Sequence, residues 1–182
     1  MVKKPQLIVF IGGIRSGKSL LALERFGTEL KARKLKAPAY LATLLAPKKG
    51  KDASLAARVA AHRGARPQAW STVEVGTELK NAAAACLKRG LDAWLLDGAG
   101  AWAALQLTQP EAAVLAQWKA FLGLARQTGL SILVLDEVGE GGVPGHPAAR
   151  AFADLNGRLN QLAAAEADEV YRVQAGLLQR LR

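Results

Sequence analysis

Eight residues near the start of the chain, Gly12-Gly13-Ile14-Arg15-Ser16-Gly17-Lys18-Ser19, carry its clearest chemistry. They fit the spacing G-x-x-x-x-G-K-[ST] in full. Each fixed residue type has a physical task. Glycines let the backbone take positive φ and close around phosphate oxygens. The N–H groups of such a loop point inward as an anion nest, at the positive end of the helix that follows. Lys18 brings an ammonium charge to the β- and γ-phosphates, which makes it a catalytic candidate. Ser19 offers a hydroxyl to Mg²⁺, a cation that prefers oxygen ligands. The run predicts binding of a nucleoside triphosphate, ATP or GTP, and phosphoryl or nucleotidyl transfer as the chemistry.

Other polar residues close apolar runs. Thr43 ends Ala39–Thr43, Asp97 ends Ala93–Asp97, and Asp136 with Glu137 follows the run Ser131–Asp136. Asp97 stands where a carboxylate would orient Mg²⁺ through water or accept hydrogen bonds from the nucleotide. The competing reading is an ordinary solvent-exposed carboxylate at a strand end. Of the two histidines, His146 lies in Gly145-His146-Pro147 and reads as a surface turn residue. His62 shares a helical face with Leu55 and Val59, with Arg58 one turn behind. A histidine at the edge of a buried stripe accounts for that placement. So does a nucleophile that holds a nucleotidyl group as a phosphoramidate, with Arg63 and Arg66 gripping phosphate. Spacing does not choose between them.

The elements that must position these residues alternate in type. Gln6–Ile11 is a short apolar run rich in β-branched residues, as in a strand buried on both faces. Leu20, Leu21, Leu23, Phe26 and Leu30 form the buried stripe of a helix from Lys18 to about Lys34. Strands follow at Ala39–Thr43, Ala93–Asp97 and Ser131–Asp136, and a closing pair at Glu169–Val173 and Leu177–Leu181. Helices are expected over Ala53–Ala65, Thr77–Arg89, Pro110–Thr128 and Ala148–Ala165, with loops at Pro47–Lys51 and Gly139–Pro147. Alternating strands and helices imply an α/β fold with a mostly parallel sheet covered on both faces. Ligands of such sheets bind beyond the carboxyl ends of the strands, where the polar residues above collect. No linker divides the chain, so residues 1–182 are read as one nucleotide-binding domain.

Composition narrows the class. The chain has 182 residues, 51% apolar and 22% charged, enough to bury a large core without staples. Its net charge of +10 favours anionic partners in general. Aromatics make up only 5%, and no aromatic-rich basic patch is present, so nucleic acid is not the expected partner. Cys86 is the only cysteine, which excludes an intrachain disulfide and points to a reducing compartment. The first apolar run is too short for a signal segment or a membrane span, so a cytoplasmic location is expected.

Longer blocks carry a resemblance. They are IGGIRSGKS, AYLAT, the stretch from Asp52 to Trp70 containing A-H-R-x-x-R-P, WLLDGAGAW from Trp94 to Trp102, and Leu135 to Gly176. In them the chain resembles the bifunctional adenosylcobinamide kinase / adenosylcobinamide-phosphate guanylyltransferases of cobalamin synthesis. The resemblance implies a P-loop NTPase fold with a RecA-like sheet. It implies phosphorylation of adenosylcobinamide by ATP or GTP, then GMP transfer from GTP through a histidine, His62 here. It implies that Arg63, Gly64, Ala65, Arg66, Glu74 and Asp97 join the P-loop in contacting nucleotide. It also implies a homo-oligomer, a trimer. The chain departs from the family pattern at Ala53-Ser54, where a further acid is usual, at Gly98–Leu105, where a run close to C-L-T-L-W is usual, and at Leu135-Asp136, where Thr-Asn or Ser-Asn is usual. Those departures motivate a second reading, a P-loop kinase without guanylyl transfer. The charge motivates a third, a diverged nucleotide-binding module.

Overall fold

The computed structural model describes residues 4–43, Ala60, Gly64 and residues 67–182. The expected loop at Pro47–Lys51 lies outside them, as does most of the helix expected over Ala53–Ala65; Ala60 and Gly64 are helical. The strands are β1 (Leu7–Gly12), β2 (Pro38–Ala42), β3 (Ser71–Glu74), β4 (Ala93–Asp97), β5 (Leu130–Asp136), β6 (Glu169–Gln174) and β7 (Leu177–Arg180). The helices are α1 (Lys18–Arg33), α2 (Leu79–Lys88), α3 (Ala99–Leu105), α4 (Glu111–Ala125) and α5 (Pro147–Glu166).

The seven strands form one sheet in the order β3-β2-β4-β5-β1-β6-β7. All neighbours are parallel except the β6–β7 hairpin. Strand alternation divides the core in two. Ile8, Phe10, Tyr40, Leu95, Ile132 and Val134 point to one face and pack against Ala22, Phe26 and Leu30 of α1. Leu7, Val9, Leu41, Trp94, Leu96 and Leu133 point to the other, where α2 to α5 cover them. Burial on both faces is why these strands read as continuous apolar runs rather than as alternations.

The second face is organised by aromatic rings. Trp102 of α3 stacks on Trp118 of α4 at 5.6 Å, and Trp118 on Phe121 at 5.3 Å. Each buried indole finds an acceptor for its N–H: Trp118 donates to the Leu159 carbonyl at 3.0 Å, and Trp102 to the Thr77 carbonyl at 3.1 Å.

Two elements differ from the sequence-based expectation. β3 is a four-residue edge strand whose residues alternate between half-buried and exposed, too short to show a run. α3 has seven residues, in an Ala- and Gly-rich stretch to which the sequence pattern assigns no element. What makes it a helix is tertiary: Gly98 enters at φ 85°, and Trp102 anchors it in the aromatic stack.

Candidate active site at the carboxyl edge of the sheet

β1 delivers the chain into the phosphate loop. Gly12 sits so close to β6 that a Cβ there would lie 2.5 Å from the Val173 carbonyl oxygen. Arg15 and Gly17 take left-handed backbone, at φ 56° and 94°. Alternation of that kind turns successive N–H groups to one side. The Gly176 N–H, in the β6–β7 turn, donates to the Ser16 carbonyl at 2.8 Å and stitches the loop down. The Ser16 hydroxyl is buried with no hydrogen-bond partner among the described residues, a polar atom suited to a ligand.

Lys18 opens α1 and is only 9% exposed. Its ammonium donates to the Gly13 carbonyl at 3.1 Å and pairs with Asp136 Oδ1 at 3.0 Å. A cation this buried needs such partners. One residue on, the Ser19 hydroxyl donates to Asp97 Oδ1 at 3.0 Å. Asp97 Oδ2 accepts from the Tyr40 hydroxyl at 2.5 Å, and Asp97 as a residue is 7% exposed. That removes the reading of Asp97 as an exposed strand-end acid. Buried Thr43 shares its hydroxyl proton between the carbonyls of Asp97, at 2.9 Å, and Gly98, at 2.6 Å. Thr43 thereby ties the end of β2 to the end of β4.

Glu74 closes β3 opposite Ala42 of β2, at the same edge of the sheet. The edge therefore gathers the P-loop, Thr43, Glu74, Asp97 and Asp136. Gly64 is helical and exposed. His62, Arg63, Ala65 and Arg66 lie outside the described residues. His146 is exposed and caps α5, its Nδ1 accepting from the Ala148 N–H at 3.3 Å. A cleft of about 440 Å³ opens beside the P-loop, lined by Gly13, Arg15, Glu137, Glu140, Arg172 and Gln174 among others.

Tyr40 is a participant that sequence reasoning missed. An aromatic inside an apolar strand signals only core, and its polar tip acquires a role only once β4 is alongside.

An α/β sheet with a glycine-rich anion loop between β1 and α1, a lysine and serine at the helix start, and a buried carboxylate meeting that serine define a P-loop nucleotide-binding protein. A solved structure agrees on the fold: that of the flagellar accessory protein FlaH from Methanocaldococcus jannaschii, at TM-score 0.57 and 14% identity, covering 100% of this chain and 80% of that one. Residues 8–181 match the family model described as cobinamide kinase / cobinamide phosphate guanyltransferase, and the chain belongs to that family. It is 31% identical over 188 residues to the bifunctional adenosylcobalamin biosynthesis protein CobU of Escherichia coli (strain K12), covering 94% of this chain and 97% of the relative. It is 34% identical over 174 residues to the bifunctional adenosylcobalamin biosynthesis protein CobP of Pseudomonas aeruginosa, covering 93% of each.

Proposed function

We propose that the chain phosphorylates the aminopropanol hydroxyl of adenosylcobinamide with ATP or GTP, then passes GMP from GTP through His62 to that phosphate. The products of the second reaction are adenosylcobinamide-GDP and pyrophosphate. What supports this reading is the family match over nearly the whole chain, together with a phosphate loop whose lysine meets Asp136, and whose serine meets Asp97, at hydrogen-bond distance. Residues 1–182 act as one unit, in the cytoplasm, as a homo-oligomer (a trimer), with no part for nucleic acid.

The roles divide as follows. Gly12 to Ser19 wrap the phosphates, and Lys18 neutralises charge on the β- and γ-phosphates as it develops. Ser19 and Asp97 form an all-oxygen pair that fits a hard cation. Mg²⁺ held there with the nucleotide would draw charge from the phosphate oxygens. Thr43 and Glu74 flank the nucleotide from β2 and β3, and Arg63, Gly64, Ala65 and Arg66 hold phosphate beside His62. In the second reaction the imidazole of His62 bonds to the α-phosphorus of GTP while the bond to pyrophosphate breaks. An oxygen of the corrinoid phosphate then displaces the imidazole.

The test uses GTP radiolabelled in its α-phosphate. The wild-type protein should retain an acid-labile label after denaturation, and His62→Ala should retain none. Equal labelling of both removes His62 from the nucleophile role.

A further inference from the structure

A second cavity opens at the carboxyl edge, beyond α3 from the phosphate loop. Thr77 and Glu78 follow β3 there, and α3 runs out from the end of β4. α4 starts toward the same edge, because β5, which follows it, begins at the opposite one. Between them lies a cavity of about 190 Å³, lined by Thr77, Leu105, Gln106, Gln109, Val114 and Gln117 among others. α3 connects it to the phosphate loop. Asp97, where β4 gives way to α3, pairs with Val134, two residues short of Asp136. Gly100 of α3 lies so near Asp136 that a Cβ there would stand 2.4 Å from its Oδ2, and Asp136 pairs with Lys18 at 3.0 Å. From Gly100 to Gln106 the helical rise carries the chain about 9 Å.

The lining is unlike the rest of the edge. The chain carries a net charge of +10, yet no lysine or arginine among the described residues lines this cavity. Its one charged residue is the exposed Glu78, whose Oε2 accepts from the Asn81 amide at 3.1 Å. Such a lining repels a phosphate. Three carboxamides converge instead. Gln106 is 3% exposed and donates its Nε2 to the Thr77 carbonyl at 3.1 Å, which fixes the side chain and leaves its oxygen as an acceptor. Trp102 donates to the same carbonyl at 3.1 Å, so this wall is firmly tied. Gln117 Oε1 is buried with no hydrogen-bond partner among the described residues, a costly state for an amide oxygen. The last torsion of a glutamine is soft, and turning it presents that oxygen to a donor in the cavity. Leu105, 47% exposed, and Val114 supply apolar wall.

We propose that this cavity receives a primary carboxamide arm of the corrinoid, anchoring the substrate while its hydroxyl lies at the phosphate loop. The proposal rests on the cobinamide reading above. A corrin ring carries acetamide and propionamide arms around its edge. Each is an apolar stem that ends in N–H donors and a carbonyl acceptor. The cavity wall is the complement of such an arm. The stem lies on Leu105 and Val114, the N–H groups meet the Gln106 and Gln117 oxygens, and the Gln109 amide donates to the carbonyl. Size supports the same reading. Pockets that enclose a whole ligand run to about 300–1,000 Å³, so a cavity this small holds one arm and leaves the ring outside. A carboxylate in place of the amide would meet two acceptor oxygens and Glu78 with no cation to offset them, so the cavity selects amide over acid.

The experiment measures phosphorylation of adenosylcobinamide by the wild type, Gln117→Leu and Gln109→Ala, with melting curves to confirm folding. A second set of substrates has one peripheral amide of the corrinoid hydrolysed to a carboxylate, each position in turn. Gln117→Leu should raise the cobinamide KM about tenfold and leave the nucleotide KM within about twofold. It should melt no lower than the wild type, because the unpaired oxygen is gone. Gln109→Ala changes an exposed side chain, so folding is not at stake, and it should raise the cobinamide KM about threefold. The wild type should reject at least one acid isomer by about tenfold or more, and Gln117→Leu should lose most of that discrimination. A cobinamide KM within about twofold of wild type in both variants overturns the assignment. So does a nucleotide KM that rises in step with it, or a wild type that accepts every acid isomer as readily as the amide. A wild-type protein that phosphorylates no cobinamide sinks the functional reading, and this assignment with it.

Discussion

Replacing Gly12 with alanine tests whether the phosphate loop is held by close approach of backbone to backbone. The added Cβ would stand 2.5 Å from the Val173 carbonyl oxygen, where contacts become ordinary only beyond 3.4 Å. It would also stand 2.7 Å from the Ser16 hydroxyl, which can rotate away. Val173 cannot yield so easily. It pairs with Gly12 in the parallel ladder, and its side chain is 1% exposed in the core. Overpacking of this kind costs about 1–3 kcal/mol, and a disturbed ladder hydrogen bond about 1 kcal/mol more. The expected loss is therefore about 2–4 kcal/mol, a fall in Tm of roughly 5–15 °C for a chain of this size. Gly13→Ala is the internal control, since a Cβ there meets nothing within 4 Å. It should melt within about 2 °C of the wild type. Scanning calorimetry of the three proteins decides the matter. Gly12→Ala melting with the wild type, or Gly13→Ala falling as far, would refute the reasoning.

Two further outcomes follow from charge and burial. Burial of Glu29 opposes its ionisation, but hydrogen bonding and charge from Arg33 and Arg25 outweigh this and hold its carboxyl below the ordinary value. A depressed folded pKa contributes stability at neutral pH that is lost as pH falls through it. The stability gap between wild type and Glu29→Gln should therefore be full at pH 7 and close between about pH 5 and pH 3 in urea titrations. A gap that widens on acidification contradicts the assignment. Burial also raises the Cys86 thiol pKa, and the residue is 0% exposed. The folded protein should react with a thiol reagent orders of magnitude more slowly than the same protein in denaturant. Rapid reaction in native buffer would show that α2 opens.

Much of the site was legible in the sequence because its grammar is local. The run Gly12–Ser19 specifies loop, helix start and charge within eight consecutive residues, and a flanking apolar run specifies the strand that feeds it. Strand ends at Asp97 and Asp136 were legible for the same reason: a carboxylate after four consecutive apolar residues marks where the apolar run stops. β3 and α3 were not, because a four-residue edge strand and an alanine-glycine helix hold little periodic signal, and neighbouring elements stabilise both. Cys86 as core was legible from its alanine-rich stretch, and the structure buries it in the cluster beneath α2.

The sequence by itself determined that a strand leads into an anion-binding turn and a helix, that the sheet is mostly parallel, and that acids close two of its strands. Each of those properties is carried by residues adjacent in the chain or repeated at a fixed period. Only the tertiary structure decided which acid does what. Asp97 and Asp136 look alike in sequence, yet one is buried between Ser19 and Tyr40 while the other faces Lys18 across space cleared by Gly100. That difference arises from strand order and a two-residue offset in register, and both are properties of pairing between distant segments.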